Sequence, residues 1–96
     1  MLKGMKVVVV MPAYNAAKTL RLTYDEVMAH NIVDLVIIVD DASSDETTAV
    51  AQTLPQAIVY THPQNLGYGG NQKSCYRLAL ENGADMVIMV HPDYQY

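Results

Sequence analysis

The chain reads as an α/β domain with a parallel sheet of about four strands and three flanking helices. Three observations predict it. Apolar runs of strand length alternate with amphipathic stretches of helix length, as repeated βα units require. The first, second and fourth runs are nearly continuous Val, Ile, Leu and Met, the composition of strands covered on both faces rather than the alternation of a half-wet sheet. Polar residues cluster just after each run, where the carboxyl edge of a parallel sheet falls.

Met5 to Met11 is the first strand, closed by Pro12. Lys3 and Lys6 imitate the charged start of a signal peptide, but the run from Val7 to Met11 is shorter than an h-region of about 7–15 residues. Asn15 is positioned to cap a first helix whose apolar residues Ala16, Leu20, Tyr24, Val27 and Met28 recur at helical spacing, ending near His30. Val33 to Val39 is the second strand. Ser43 and Glu46 form a capping box for the second helix, Asp45 adds favourable charge at its start, Ala49, Val50 and Leu54 face inward, and Pro55 enforces the stop. Ala57 to Tyr60 is the third strand. The third helix begins near Gly67 to Gly70, buries Cys75, Leu78 and Ala79, and ends at Gly83; Met86 to Val90 is the fourth strand.

Ninety-six residues hold one small domain at most, since separate cores need on the order of 100 residues each. A hydrophobic share of 51% against 17% charged residues marks a chain that folds. The formal charge of −4, with six dispersed Lys and Arg, lacks the clustered basic surface that nucleic-acid phosphates require, so no nucleic-acid partner is expected. The single cysteine, Cys75, excludes an internally disulfide-stapled secreted domain and fits a reducing, cytoplasmic compartment. Its helical spacing with Leu78 and Ala79 is that of a buried, inert thiol. The apolar runs are far short of the roughly 20 residues that span a bilayer, so no transmembrane segment is expected.

Chemistry is expected at the carboxyl ends of the strands, where loops and helix N-termini converge. Pro12-Ala13-Tyr14-Asn15 follows the first strand, Asp40-Asp41-Ala42-Ser43-Ser44-Asp45 the second, His62-Pro63-Gln64-Asn65-Leu66-Gly67 the third, and His91-Pro92-Asp93 the fourth. Side chains of adjacent Asp40 and Asp41 diverge on an extended chain, so one points into a shared pocket and the other is structural; alternatively, both serve the dipole of the following helix. Gly67, Gly69 and Gly70, just ahead of a helix with Lys73 nearby, suit either backbone approach to a phosphate or an ordinary tight turn. The segment is neither a P-loop nor a dinucleotide fingerprint. His91 and Asp93, two apart after a buried strand, suit a divalent cation whose coordination ligand phosphates complete; His62 is a weaker ligand candidate. Tyr14 either stacks on a base or packs on the first helix.

Together these segments resemble the N-terminal half of a family 2 glycosyltransferase, the group that transfers sugars from nucleotide-diphosphate donors, and imply its Rossmann-like GT-A fold. Val7 to Asn15 resembles the family's opening strand and P-x-Y-N turn, and Ile37 to Asp45 its V-D-D-x-S-x-D segment. Asn65 to Gly70 is similar to its N-x-G loop, and Met86 to Val90 to the strand leading into its metal motif; almost the whole chain is covered. The resemblance implies that Pro12, Ala13, Tyr14, Asn15, Asp40, Asp41, Gly67, Gly69, Gly70 and Lys73 bind the nucleotide sugar. Asp41 would accept the imino proton of uracil or guanine, with Asp40 nearby. Asp93 matches the second acid of the D-x-D motif, which coordinates Mg²⁺ or Mn²⁺, and Gln95 lies in the donor or acceptor vicinity. His91 stands where the first acid usually is. Asp93 and Gln95 still match the branch of polyprenyl-phosphate sugar synthases, while imidazole suits Mn²⁺ better than Mg²⁺.

The resemblance thus implies an enzyme that binds a UDP- or GDP-linked sugar for inverting transfer to an acceptor, a polyprenyl phosphate being one candidate, in the cytoplasm or at the cytoplasmic face of a membrane. The family's acceptor site and general base lie beyond the metal motif, so residues 1–96 are expected to be a truncated, single partial domain: the donor-nucleotide half, with no catalytic residue of its own. A bare fourth-strand edge then favours self-association. Two other readings stand beside this one. A receiver-like signalling module wants acids after the first strand and a late lysine; a binding-only pseudoenzyme is suggested by His91.

Overall fold

The computed structural model describes residues 4–43 and 45–92. Along them run β1 (Val7–Ala13), α1 (Leu20–Met28), β2 (Leu35–Asp40), α2 (Thr47–Gln52), β3 (Ala57–Thr61), α3 (Gly67–Glu81) and β4 (Met86–Met89). All strand pairings are parallel, in the order β3-β2-β1-β4. The chain steps outward from β1 through β2 to β3, and α3 then carries it back to the far side of β1. This reversal places a topological switch point between the carboxyl ends of β1 and β4.

The unbroken apolar character of β1 follows from its position, since all seven of its residues are buried. Val9, Met11, Ala13, Val36 and Ile38 face Leu20 and Tyr24 of α1, Ala51 of α2 and the following Leu54. Val8, Val10, Ile37 and Val39 face Cys75 and Ala79 of α3. Each fully buried Val or Ile contributes about 1.5–3 kcal/mol, so β1 and β2 dominate the core. Pro12 is tolerated in this central strand for a definable reason. The residues of β1 alternate in their ladder direction: the carbonyl of Ala13 accepts from Asp41 N just after β2, and that of Val10 from Val90 N beside β4. Pro12 therefore faces the β4 side, where the register has already ended at Val10↔Met89. Its missing N–H breaks no rung, and the two strands part there.

The strands differ from the expected limits by one or two residues; β1, for example, continues to Ala13 because Pro12 and Ala13 pair in register with Val39 and Asp40. The helix starts differ more. Asn15 is not the cap of α1: its φ is 50°, and the chain turns through Ala16 to Thr19 before α1 begins, with Ala16 O accepting from Thr19 N at 3.1 Å and Leu20 N at 2.9 Å. The Ser43–Glu46 capping box does not form. Ser43 turns toward Asp40 instead, and Asp45 Oδ1 accepts the backbone N–H of Thr47 at 2.9 Å. With α2 starting at Thr47, the inward stripe is Thr47, Ala51 and Leu54, whereas Ala49 is exposed. The end of α3 is as expected. Gly83 takes φ 78°, Gly83 N donates to Leu80 O at 3.1 Å, and Ala84 N to Ala79 O at 3.1 Å, the pattern of a Schellman stop.

The helices leave part of the sheet uncovered. Ile58 and Tyr60 of β3 are exposed, as is Ile88 of β4. An apolar cleft of ≈ 280 Å³ lies between α1 and β4, lined by Val9, Val27, Val33, Ile88 and Val90 with Glu26 and His30 on its rim.

Candidate functional site

The four loops at the carboxyl edge are tied to one another by side chains. The first tie joins the β1 and β2 loops. Asn15 N donates to Ser43 Oγ at 2.8 Å, Ala16 N to Thr47 Oγ1 at 2.8 Å, and Ala17 N to Asp45 Oδ2 at 3.3 Å. Three amides that a longer α1 would have left open are thereby given acceptors. Behind them stands Asp40, fully buried. Its Oδ1 accepts from Ser43 N at 3.2 Å and from the Ser43 hydroxyl, and its Oδ2 accepts from the Thr48 hydroxyl.

Asp41 makes the second tie. Strand alternation sends it to the face opposite Asp40, where Oδ1 accepts from Leu66 N at 2.8 Å and Oδ2 from Gly67 N at 3.0 Å. A carboxylate thus sits at the N-terminus of α3, where the helix dipole favours negative charge. His62 Nδ1 meets Asp41 Oδ1 at 2.8 Å, and His62 Nε2 meets Ser74 Oγ of α3 at 2.8 Å. Asn65 Nδ2 donates to Asp41 O at 3.2 Å, and Asn71 Nδ2 to Val39 O at 3.0 Å. The third tie is Thr19, whose hydroxyl donates to Pro92 O beyond β4. Among the described residues, no buried side-chain polar atom lacks a partner.

The expected divergence of the acid pair is present, but neither carboxylate points into open space: Asp40 is 0% and Asp41 3% exposed. Pro12 and Ala13 are buried at the end of β1, while Tyr14 is 51% exposed beside them, so it does not pack under the first helix. The glycines do not precede α3 but form its first turn. Gly67 has φ 81°, a conformation glycine favours, and a Cβ on Gly70 would meet Leu66 Cβ at 2.8 Å. Gly69 is exposed, and a Cβ there would meet nothing within 4 Å. Lys73, also exposed, follows Gly69 by one turn on the same helix face. His91 is exposed after β4, whereas Asp93 and Gln95 lie outside the described residues.

Several residues that build this edge carried no local signal. Thr19, Thr48 and Ser74 each reach a partner on another element or loop, Pro92, Asp40 and His62 respectively. His62, weighed as a metal ligand, has both ring nitrogens occupied within the protein. Among the described residues, no three His, Cys, Asp or Glu side chains are grouped to hold a metal ion. Burial pushes the Asp45 carboxyl up, but the bonds from Thr47 and Ala17 outweigh it and hold the group below its ordinary value. Burial pushes the Cys75 thiol up to about 12, which leaves it unreactive at neutral pH.

Comparison with known proteins gives a consistent picture. The family model described as Glycosyl transferase family 2 matches residues 8–96. The UDP-N-acetylglucosamine–dolichyl-phosphate N-acetylglucosaminyltransferase of Methanococcus voltae is 30% identical over 91% of this chain and 41% of its own length. Mannosyl-3-phosphoglycerate synthase from Rubrobacter xylanophilus superposes with a TM-score of 0.79 at 27% identity, over 97% of this chain and 32% of that one. Glucosyl-3-phosphoglycerate synthase from Mycobacterium tuberculosis, solved with Mn²⁺, uridine diphosphate and phosphoglyceric acid, gives 0.73 at 25% identity, over 94% of this chain and 34% of that one. The chain therefore spans between 32% and 41% of the length of these relatives.

Proposed function

The chain belongs to glycosyl transferase family 2, and from that membership we propose that its carboxyl edge binds the nucleotide part of a nucleotide-diphosphate sugar for inverting transfer to an acceptor. Residues 1–96 then form the donor-binding part of a longer catalytic domain. The observation that carries this reading is the convergence of four interlocked loops at a switch point, with Tyr14, Asn15, Gly69 and Lys73 exposed around them.

The division of labour follows from burial. Exposed Tyr14 offers a ring face to the base. Asp40 holds the β1 and β2 loops together. Among the described residues, Asp41 accepts three hydrogen bonds, two on Oδ1 and one on Oδ2. Asp41 is only 3% exposed and is held by these bonds, so its place in this reading is beneath the base, ordering the turn at Leu66 and Gly67. The open flank of α3 at Gly69, with Lys73 one turn on, suits the diphosphate. Neither Asp40 nor Asp41 is placed as a general base, because each is consumed in holding backbone. The part of this edge in the reaction is to bind and orient the donor.

A divalent cation, Mn²⁺ or Mg²⁺, would be held by His91 and Asp93 together with the donor phosphates; when bound it offsets charge on the departing nucleotide. The presence of imidazole favours Mn²⁺. The Methanococcus voltae relative, a UDP-N-acetylglucosamine–dolichyl-phosphate N-acetylglucosaminyltransferase, supports a UDP-linked sugar donor and a polyprenyl-phosphate acceptor, with a GDP-linked donor as the alternative. Among the described residues, no helix is long and apolar enough to cross a membrane; lipid-linked transfer would place this part at the cytoplasmic membrane face. Calorimetry with UDP and GDP, each with and without Mn²⁺, tests the proposal. Micromolar binding enhanced by Mn²⁺ is expected, and the absence of binding to either nucleotide overturns it.

A further inference from the structure

We propose that His62 is a positioning residue for the donor site, acting through Asp41; this rests on the donor-binding reading above. Asp41 already receives two backbone N–H groups, as an ionised, acceptor-only carboxylate does, so His62 Nδ1 carries the proton it shares with Asp41. In the neutral ring Nε2 is then an acceptor, and the Ser74 hydroxyl donates to it. His62 N also donates to Asp40 O at 2.9 Å, and Tyr60 packs edge-on against the ring at 5.7 Å. One 4%-exposed side chain therefore joins the ends of β2 and β3 to the middle of α3.

The consequence lies at the surface. The imidazole orients the Asp41 carboxylate, the carboxylate receives Leu66 N and Gly67 N, and those amides begin the turn that presents Gly69 and, one turn later, Lys73. The order Ser74, His62, Asp41 is that of a nucleophilic triad. Ser74, however, is only 7% exposed between helix and sheet, so its hydroxyl is out of reach of a substrate. The relay sets geometry and does no covalent chemistry.

The test separates the two ring nitrogens. Asparagine at this position places a donor near the site of Nδ1, whereas glutamine reaches the site of Nε2. Losing a hydrogen bond to a charged group corresponds to about a tenfold change or more in an equilibrium. His62→Asn should therefore bind UDP with Mn²⁺ close to the wild-type affinity, and His62→Gln about tenfold more weakly, while both lower the melting temperature similarly. Equal losses of affinity in the two variants, or losses that simply follow the melting temperature, overturn the proposal. ¹⁵N chemical shifts of the wild-type imidazole give a readout that does not depend on any variant folding: a protonated Nδ1 is expected, and a neutral ring protonated at Nε2 overturns the proposal. A wild-type protein that binds neither UDP nor GDP would refute the donor reading itself, which is a separate result from equal behaviour of the two variants.

Discussion

The glycines at the start of α3 separate structural from ligand-driven requirements. Gly67 is held at φ 81°, where a side chain costs about 1–2 kcal/mol. Gly70 is crowded, since a Cβ there comes within 2.8 Å of Leu66 Cβ, an atom without rotational freedom to escape. Gly70→Ala should therefore cost about 1–3 kcal/mol, the usual range for overpacking. Gly69 has neither constraint. Glycine in a helix is less stable than alanine by about 0.5–1 kcal/mol, so Gly69→Ala should stabilise the fold by up to that amount. If the diphosphate approaches the backbone here, the added methyl group obstructs it, and affinity for UDP with Mn²⁺ should fall about tenfold, equivalent to about 1.4 kcal/mol. Urea denaturation reads the first effect and calorimetry the second. A Gly69→Ala protein that is stabilised yet binds the nucleotide with unchanged affinity would refute the argument that the donor lies against this turn.

Four further outcomes are expected. Ser43→Ala removes the hydroxyl that joins Asp40 to Asn15 N, leaving a buried carboxylate underbonded, and should cost about 1–3 kcal/mol in urea denaturation; an unchanged midpoint contradicts this role. Because the folded Asp45 carboxyl titrates below its ordinary value, the unfolded chain binds more protons as pH falls, so the Asp45 contribution is present above about pH 4 and is lost as pH drops through the folded value. Thermal melts across that window should slope less in Asp45→Asn, and parallel slopes would contradict the assignment. His91→Asp should raise UDP affinity in Mg²⁺ relative to Mn²⁺, measured by calorimetry, and an unaltered ratio removes His91 from the metal site. Among the described residues β4 is paired only on its β1 side, with Ile88 exposed, so the 96-residue chain should self-associate in light scattering; a monodisperse monomer counts against this.

Elements governed by burial on both faces were legible from composition. The Val, Ile and Leu runs of β1 and β2 had no other stable location, and Gly83 marked the Schellman stop because left-handed backbone favours glycine. Cys75 at core spacing was equally plain. Capping was not. Asn15 and Ser43 carry local cap signatures, but the fold uses Asn15 in a left-handed turn and Ser43 as a bridge, its hydroxyl donating to Asp40 while its oxygen accepts from Asn15 N rather than from a helix amide. The same cause hid the assignment of Asp41. Its partners Leu66 and Gly67 lie 25 and 26 residues away, and no short-range pattern encodes a cap supplied from another loop. The acid pair, the P-x-Y-N turn and the glycine segment nonetheless pointed to the family that the comparison bears out.

The central claim is that a nucleotide diphosphate binds at the carboxyl edge, around Tyr14 and the first turn of α3. Backbone amide NMR of the protein titrated with UDP in the presence of Mg²⁺, avoiding paramagnetic Mn²⁺, tests it most directly. The account predicts saturable shifts at Tyr14, Asn15, Asp41, Gly69 and Lys73. Shifts confined to the apolar cleft at Val27 and Ile88, or no saturable shifts at all, would contradict it.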